Sequence, residues 1–566
     1  MGGRVSMPMK KLSLIDPPGA ESVHHKLPPE AQSDLSVDFI CAEVSGKPAE
    51  RALIKSLLTG NLTSDPRAVE YRCAIFEDVY RFPGLCERVQ ELLDKIDFLR
   101  SYGSFLKENE EASSLWELIH RLNEIGDYIV CIEELYDCLC GEELRSEGLC
   151  LLRDYVREIY EDSGFAHLKK DIAALKQDTE RIRSVTLGVN LNERYEPNGV
   201  GIISVNSRSF QKTGIISNFC NFLGREDDIQ DSLEVKPGAA IRAVKDENKL
   251  NRKKVLKPLI PTLPEDPESG DLMNVLDRVV SHMLAGTTKK LKRMLSEHVE
   301  ISSYVITSLI PQFMFYVRFA AYIRKCRSQG FAFCRPQVSG EGARDMQAEG
   351  LYNLKLIKGA SEGEGPASIV PNDLDFCAQH RLYILTGANR GGKTTLTQAV
   401  GIAFLLAQNG IFVPAQSFRF SPADNIFTHF PADENKTMDL GRLGEEAKRF
   451  RELYTQAGAH SLILLNESFS STSFEEGFYI AYDVVKSLKL LGARTIYNTH
   501  MHKLAQQVDE LNGTVESDSQ AASLMMGDQS GSRSYKVHVA PPEGRSYAQD
   551  IARKYGVTFE QLTGRA

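Results

Sequence analysis

Leu382-Tyr383-Ile384-Leu385-Thr386-Gly387-Ala388-Asn389-Arg390-Gly391-Gly392-Lys393-Thr394-Thr395 decides how this chain reads. A short apolar strand pattern runs into G-x-x-x-x-G-K-[ST], and a helical pattern follows from Lys393 to about Gln408. Glycines in such a turn let successive backbone N–H groups face inward, where they cradle phosphate oxygens at a helix N-terminus. Lys393 brings a point charge to the β- and γ-phosphates of a nucleotide, and Thr394 offers a hydroxyl to Mg²⁺. Strand, loop and helix in this order separate the motif from a chance glycine-rich turn.

Two further strand patterns end on side chains suited to the same chemistry. Ser461-Leu462-Ile463-Leu464-Leu465 ends on Asn466 and Glu467. In nucleotide hydrolases with this loop, such a strand normally ends on an Asp that helps hold Mg²⁺, and a following Glu can polarise the attacking water. Asn466 keeps an oxygen acceptor but lacks the charge. A hydrogen bond to an ionised group is worth ~1.5–3 kcal/mol, so ~10–100-fold in metal affinity or rate depends on that difference. Glu467 is the candidate general base. The next pattern, Ala493-Arg494-Thr495-Ile496-Tyr497-Asn498-Thr499, ends on His500 at the carboxyl edge of the sheet, where open α/β folds bind ligands. His500 can bond a γ-phosphate or the attacking water; His502 reads as a surface residue.

The rest of the 566-residue chain fits around this module. At about 100–200 residues per domain the length predicts several compact units, and 42% hydrophobic with 25% charged residues excludes a disordered or low-complexity chain. Eleven cysteines without a Cys-x-x-Cys pair read as reduced thiols of a cytoplasmic protein. No apolar run approaches the ~18 residues of a membrane helix, so no membrane partner is expected. A net charge of −9 requires any nucleic-acid contact to come from local basic clusters, such as Lys249–Lys257 or Lys289, Lys290, Lys292 and Arg293.

Residues 1–35, with two Pro-Pro steps, read as an irregular arm. Residues 36–183 carry helical periodicity, broken at Pro83-Gly84, and residues 184–210 resemble a β-hairpin around a turn at 192–199. Residues 248–267 are basic and then Pro-rich, helical spacing resumes over 271–328, and βαβ patterns follow beyond about 351.

With these motifs in register, the chain resembles the ATPase domain of the MutS family of DNA mismatch-repair proteins, a branch of the ABC-type ATPases. Residues 386–395 are similar to the family's TGPNMGGKST, Val413-Pro414-Ala415 to its V-P-A, residues 461–467 to its SLVLMDE, and Asn498-Thr499-His500 to its A-T-H. Ser546-Tyr547-Ala548 and Ile551-Ala552 resemble its S-Y-G-x-x-V-A segment, so the likeness covers about 331–562.

The resemblance implies a multidomain α and α/β protein: an arm over 1–35, a helical core/lever domain over 36–345 with a β-hairpin and insertion at about 184–270, and an ABC-type P-loop ATPase over 346–566. It implies ATP and Mg²⁺ as cofactors, with Gly387, Ala388, Asn389, Arg390, Gly391, Gly392, Lys393, Thr394 and Thr395 on the nucleotide and Thr394 and Asn466 on the metal. Glu467 and His500 are the implied catalytic pair. A homodimer acting on mispaired or branched duplex DNA is the implied assembly.

Several positions depart from the family. Gly441 and Arg442 stand where its signature S-T begins, the helix start that faces the partner's γ-phosphate. Gly441 removes a hydroxyl but leaves helix N–H groups for an anion, and Arg442 adds a charge. Phe469-Ser470-Ser471 replaces a Gly-Arg-Gly, while Thr472, Ser473 and Gly477 still fit. The short arm is not expected to hold the mismatch-sensing domain with its Phe-x-Glu wedge. Asn466 leaves open a clamp or scaffold with little hydrolysis, and the acidic balance leaves open a P-loop ATPase with a non-DNA partner.

Overall fold

The computed structural model describes residues 12–20, 22–84, 87–88, 115–179, 184–191, 193–194, 197–206, 309–340, 342–388, 391–431, 441–527, 534–541, 553 and 555–563. The chain divides into two compact units, one of residues 1–94, 137–155 and 307–566, the other of residues 95–136 and 156–306.

The first unit opens with helices α1 (Pro29–Asp34), α2 (Val37–Val44), α3 (Pro48–Gly60) and α4 (Pro66–Arg81). Proline at the first helical position suits α1, α3 and α4, since an N–H there has no intrahelical acceptor. Asp65 caps α4 by accepting the Arg67 N–H at 2.9 Å. The second unit is built from α5 (Leu115–Cys140), the end of α6 (Glu147–Glu161), α7 (Ser163–Thr179) and strands β1 (Ser184–Leu191) and β2 (Pro197–Asn206). Tyr136 stacks on Tyr160 at 4.0 Å between ring centres. The two strands pair antiparallel as the expected hairpin, but β2 begins at Pro197, so the turn is shorter than residues 192–199.

The first unit resumes with α8 (Ile310–Ser328), β3 (Gln337–Val338), β4 (Met346–Leu351), α9 (Leu356–Glu362), β5 (Asn372–Phe376) and β6 (His380–Gly387). Then come α10 (Lys393–Gln408), β7 (Ser417–Phe420), β8 (Ile426–His429), α11 (Gly441–Gln456) and β9 (Leu462–Asn466). The last elements are α12 (Phe474–Leu491), β10 (Arg494–Asn498), α13 (His502–Gln506), α14 (Val508–Thr514), β11 (Gln520–Gly527), β12 (Lys536–Val539) and α15 (Phe559–Thr563). A six-stranded sheet runs β12-β11-β6-β10-β9-β8, parallel except for β12, as buried apolar runs separated by helices predict. A second, mixed sheet, β3-β7-β4-β5, was not legible in the pattern. The architecture is thus mixed α/β with helices and mixed sheets.

Two features of the first unit bear on the expected division. Of the arm expected to be irregular over 1–35, the described residues include α1, which packs against edge strand β8, and Leu14, Leu27 and Leu35 are fully buried. Leu35 fills the space that a side chain at Gly401 of α10 would need. The division at 345/346 also falls inside the first unit. Strand β3 pairs with β7, and Cys334 bridges Val413, so residues on both sides of that division share one sheet. The basic and Pro-rich stretch at 248–267, the helical spacing over 271–308 and the segments at 546–548 and 551–552 lie outside the described residues.

Arg72 shows how tightly the N-terminal helices are built in. Fully buried on α4, it donates to the carbonyls of Ile15 (2.7 Å), Asn61 (2.7 Å) and Gln408 (2.8 Å). One guanidinium therefore joins the arm, the end of α3 and the C-terminus of α10, whose dipole favours a cation there. Gly410, at φ +76°, lets the chain turn past Arg72, because a Cβ there would overlap the Arg72 backbone. Gly410→Ala is expected to destabilise the fold by about 2–4 kcal/mol, read as a lower urea midpoint at unchanged slope.

Candidate functional site

The site assembles where β6, β9 and β10 end together. β10 pairs in parallel with both neighbours, with Asn498 opposite Leu385 on β6 and Asn466 on β9. Leu385 stands just before the glycine loop, so the loop, Asn466-Glu467 and Thr499-His500 leave the sheet at one edge.

Gly387 and Gly392 take φ of +139° and +94°. A Cβ on Gly387 would run into the Met526 carbonyl, and one on Gly391 would stand 2.8 Å from the Ala388 carbonyl. The backbone thus keeps a side-chain-free concavity at the start of α10. Asn389 and Arg390 lie outside the described residues. Lys393, 5% exposed, donates to the carbonyls of Gly387 (3.0 Å) and Ala388 (3.1 Å). Burial pulls its pKa down, and the Glu467 charge opposes that shift. Tyr535 reaches the same loop, its Cδ1 standing 3.4 Å from where a Gly392 Cβ would be.

Thr394, the residue expected to offer a hydroxyl to a metal, donates from Oγ1 to Asn466 Oδ1 at 2.9 Å. The same amide oxygen accepts from Asn498 Nδ2 at 2.5 Å. Asn498 is fully buried, and its Oδ1 has no hydrogen-bond partner among the described residues. Among those residues no group of three His, Cys, Asp or Glu side chains could hold a metal ion. The oxygens of Thr394, Asn466 and Asn498 suit Mg²⁺, which takes few protein ligands and arrives with nucleotide phosphates. Glycine cradle, lysine and oxygen set therefore fit a magnesium nucleotide.

Glu467 Oε1 accepts from His500 Nε2 at 2.5 Å. That hydrogen bond lowers the Glu467 pKa; burial opposes it, and the charges of His500 and Lys393 assist. Glu467 is thus an ionised, half-buried carboxylate facing the loop lysine. The sequence places His500 against phosphate or water, whereas here it holds the carboxylate. His502, read as a surface residue, is half-buried, and burial followed by the charges of Lys393 and His500 lowers its pKa. Thr395 lies in the first turn of α10, while Gly441 and Arg442 stand exposed at the start of α11.

Asn498 escaped the sequence reading as a site residue. Its signal is positional: it closes the strand beside Asn466, which aligning the strand ends reveals. His429 at the end of β8 also escaped notice. Its Nε2 lies 3.0 Å from the Glu446 carbonyl, an obligate acceptor, so Nε2 carries the proton and Nδ1 accepts from Ser468 Oγ at 2.7 Å. Burial, with Arg449 nearby, pushes the imidazole down to about 4.

The sequence comparisons point one way. Residues 383–559 match the family model for MutS domain V. The chain is 32% identical to the DNA mismatch repair protein MutS of Oleidesulfovibrio alaskensis over 198 residues, covering 34% of this chain and 21% of the relative. The corresponding protein of Desulforamulus reducens is 34% identical over 184 residues, covering 32% and 20%. That of Desulfovibrio desulfuricans is 32% identical over 229 residues, covering 40% and 24%. The chain thus spans about a fifth to a quarter of the length of these curated relatives. Among the described residues no helix is long and apolar enough to cross a membrane.

The neutral state of buried His429 has a measurable consequence. Its folded pKa lies below the unfolded value, so the unfolded chain takes the proton first. Stability from this group is complete above about pH 7 and falls by about 1 kcal/mol per unit between the unfolded value and about 4. In urea titrations, His429→Asn is expected to lose less stability than the parent between pH 7 and pH 5.

Proposed function

We propose, from the premise that this chain belongs to the MutS family through its C-terminal part, that it is a MutS-like ATPase that binds ATP with Mg²⁺ and acts on DNA. The observation that carries this reading is the convergence of the glycine loop, Asn466-Glu467 and His500 at one sheet edge. The N–H groups of Gly387–Lys393 and the α10 terminus bind the phosphates. Lys393 leaves the loop carbonyls to meet the β- and γ-oxygens, and Thr394 with Asn466 holds Mg²⁺. The metal, when bound, supplies charge neutralisation on those oxygens.

Glu467 takes the proton from the attacking water as that water bonds to the γ-phosphorus and the bond to the ADP oxygen breaks. His500 keeps Glu467 ionised and directed at the loop. Asn389, Arg390, Thr395, Gly441 and Arg442 complete the proposed nucleotide contacts, the last two across a homodimer. Mispaired or branched duplex is the proposed DNA, with the helical region over 36–345 as its grip.

One observation favours a slower variant of this function, a nucleotide-operated clamp. Asn466 is neutral, and its oxygen already receives hydrogen bonds from Thr394 and Asn498. Steady-state ATPase with Mg²⁺ separates the two. Glu467→Gln is expected to lower turnover about 100-fold or more, and Asn466→Asp to raise metal affinity or rate about tenfold. Turnover untouched by either change refutes the assignment. Binding to mispaired and branched duplex is expected to weaken linearly in log–log salt titration, and no binding at low salt refutes the DNA role.

A further inference from the structure

The chain leaves β9 through two non-glycine residues in the left-handed region, Glu467 at φ +52° and Phe469 at φ +62°. Such a turn persists only where its surroundings over-determine it. Here the anchors come from separate elements. The Glu467 N–H donates to Asn498 O (2.8 Å), and the Tyr497 hydroxyl donates to Ser468 O (2.9 Å). From α11, the Glu446 carboxylate accepts the Phe469 N–H at 2.7 Å. From β8, His429 receives the Ser468 hydroxyl and stacks on the Phe469 ring at 5.5 Å and 24°. Gly477 of α12 permits the close pass, because a Cβ there would overlap the Phe469 carbonyl.

The direction of the Glu467 side chain follows from this backbone. Relaxing Glu467 and Phe469 to right-handed or extended φ would rotate the carboxylate away from His500 and the phosphate loop. The Tyr497 and Asn498 anchors come from β10, the strand that feeds His500 into the site. Those of Glu446 and His429 come from outside β9 and β10, and they meet each other, since His429 Nε2 donates to the Glu446 carbonyl. We infer that Glu446 and His429 are positioning residues for Glu467: together they lock the Glu467–Phe469 turn in the conformation that points the carboxylate at the phosphate loop. The inference rests on Glu467 being the general base of ATP hydrolysis.

The test compares steady-state hydrolysis and equilibrium ADP binding in the full chain for the parent, Glu446→Ala, Glu446→Gln and His429→Phe. His429→Phe keeps the ring stack and loses both hydrogen bonds. In Glu446→Ala and His429→Phe, kcat is expected to fall about 10–100-fold while ADP affinity stays within about twofold. Glu446→Gln keeps an oxygen acceptor for the Phe469 N–H and is expected to recover most of the rate. If Glu446→Ala does not fold, the contrast between Glu446→Gln and His429→Phe decides. Parental kcat in Glu446→Ala or His429→Phe overturns the inference, as does a parallel loss of rate and affinity in all variants. A parent that does not hydrolyse ATP overturns the reading of Glu467 itself and this inference with it.

Discussion

Parallel pairing of β10 between β6 and β9 is the constraint on which the rest depends. It aligns the carboxyl ends of three strands, so that residues far apart in the chain emerge within hydrogen-bond reach. Thr394 meets Asn466 across 72 residues and Asn498 meets Asn466 across 32. Glu467 is tied to the neighbouring strand by its own N–H before its side chain reaches His500. A parallel sheet with helices on its faces leaves this edge open to solvent, which is why ligands of such folds gather there.

Buried guanidinium groups secure what surrounds that sheet. Arg494 opens β10 fully buried, donating to Ser421 O (2.5 Å), Ser421 Oγ (2.9 Å) and His460 O (2.7 Å). Burial pulls it down to about 10, and it stays cationic at neutral pH. Arg72 acts likewise at the far end of α10, so the phosphate-loop helix is held at its C-terminus by a side chain of the N-terminal helices. Buried charges of this kind are costly unless their donors find acceptors, and main-chain carbonyls at element ends take most of them here, while Arg72 Nη2 and Arg494 Nε have no hydrogen-bond partner among the described residues. The helices before residue 94 are therefore part of the same folding unit as the strands after 346.

The same logic explains the asymmetry between Asn466 and Glu467. The neutral amide oxygen of Asn466, in the middle of the edge, receives both of its hydrogen bonds from the neighbouring Thr394 and Asn498. Glu467, which carries charge, draws its partners from further away: the His500 imidazole by hydrogen bond and the Lys393 ammonium by field. The left-handed turn that follows is a local conflict with backbone preference. It is tolerated because α11, β8 and β10 all bond to it.

Local pattern was enough for much of this. The glycine loop from Gly387 to Thr394, the apolar strands ending at Asn466 and His500, the helix after Lys393 and the hairpin near residues 184–206 are written in short windows, because phosphate cradling, strand burial and helix periodicity act over a few residues. Tertiary structure decided the rest. Nothing in the window around His429 marks it, and the local pattern around Glu446 and Asn498 does not reveal their partners, since each acquires its contacts from a neighbour brought alongside by the fold. The burial of Leu14 and Leu35 and the joining of 12–81 to the later elements of the first unit depend on contacts across about 300 residues, as Gln312 to Leu14 (298 residues apart) and Arg72 to Gln408 (336 residues apart) show. Periodicity reports which face of an element is apolar, and only packing decides what covers it.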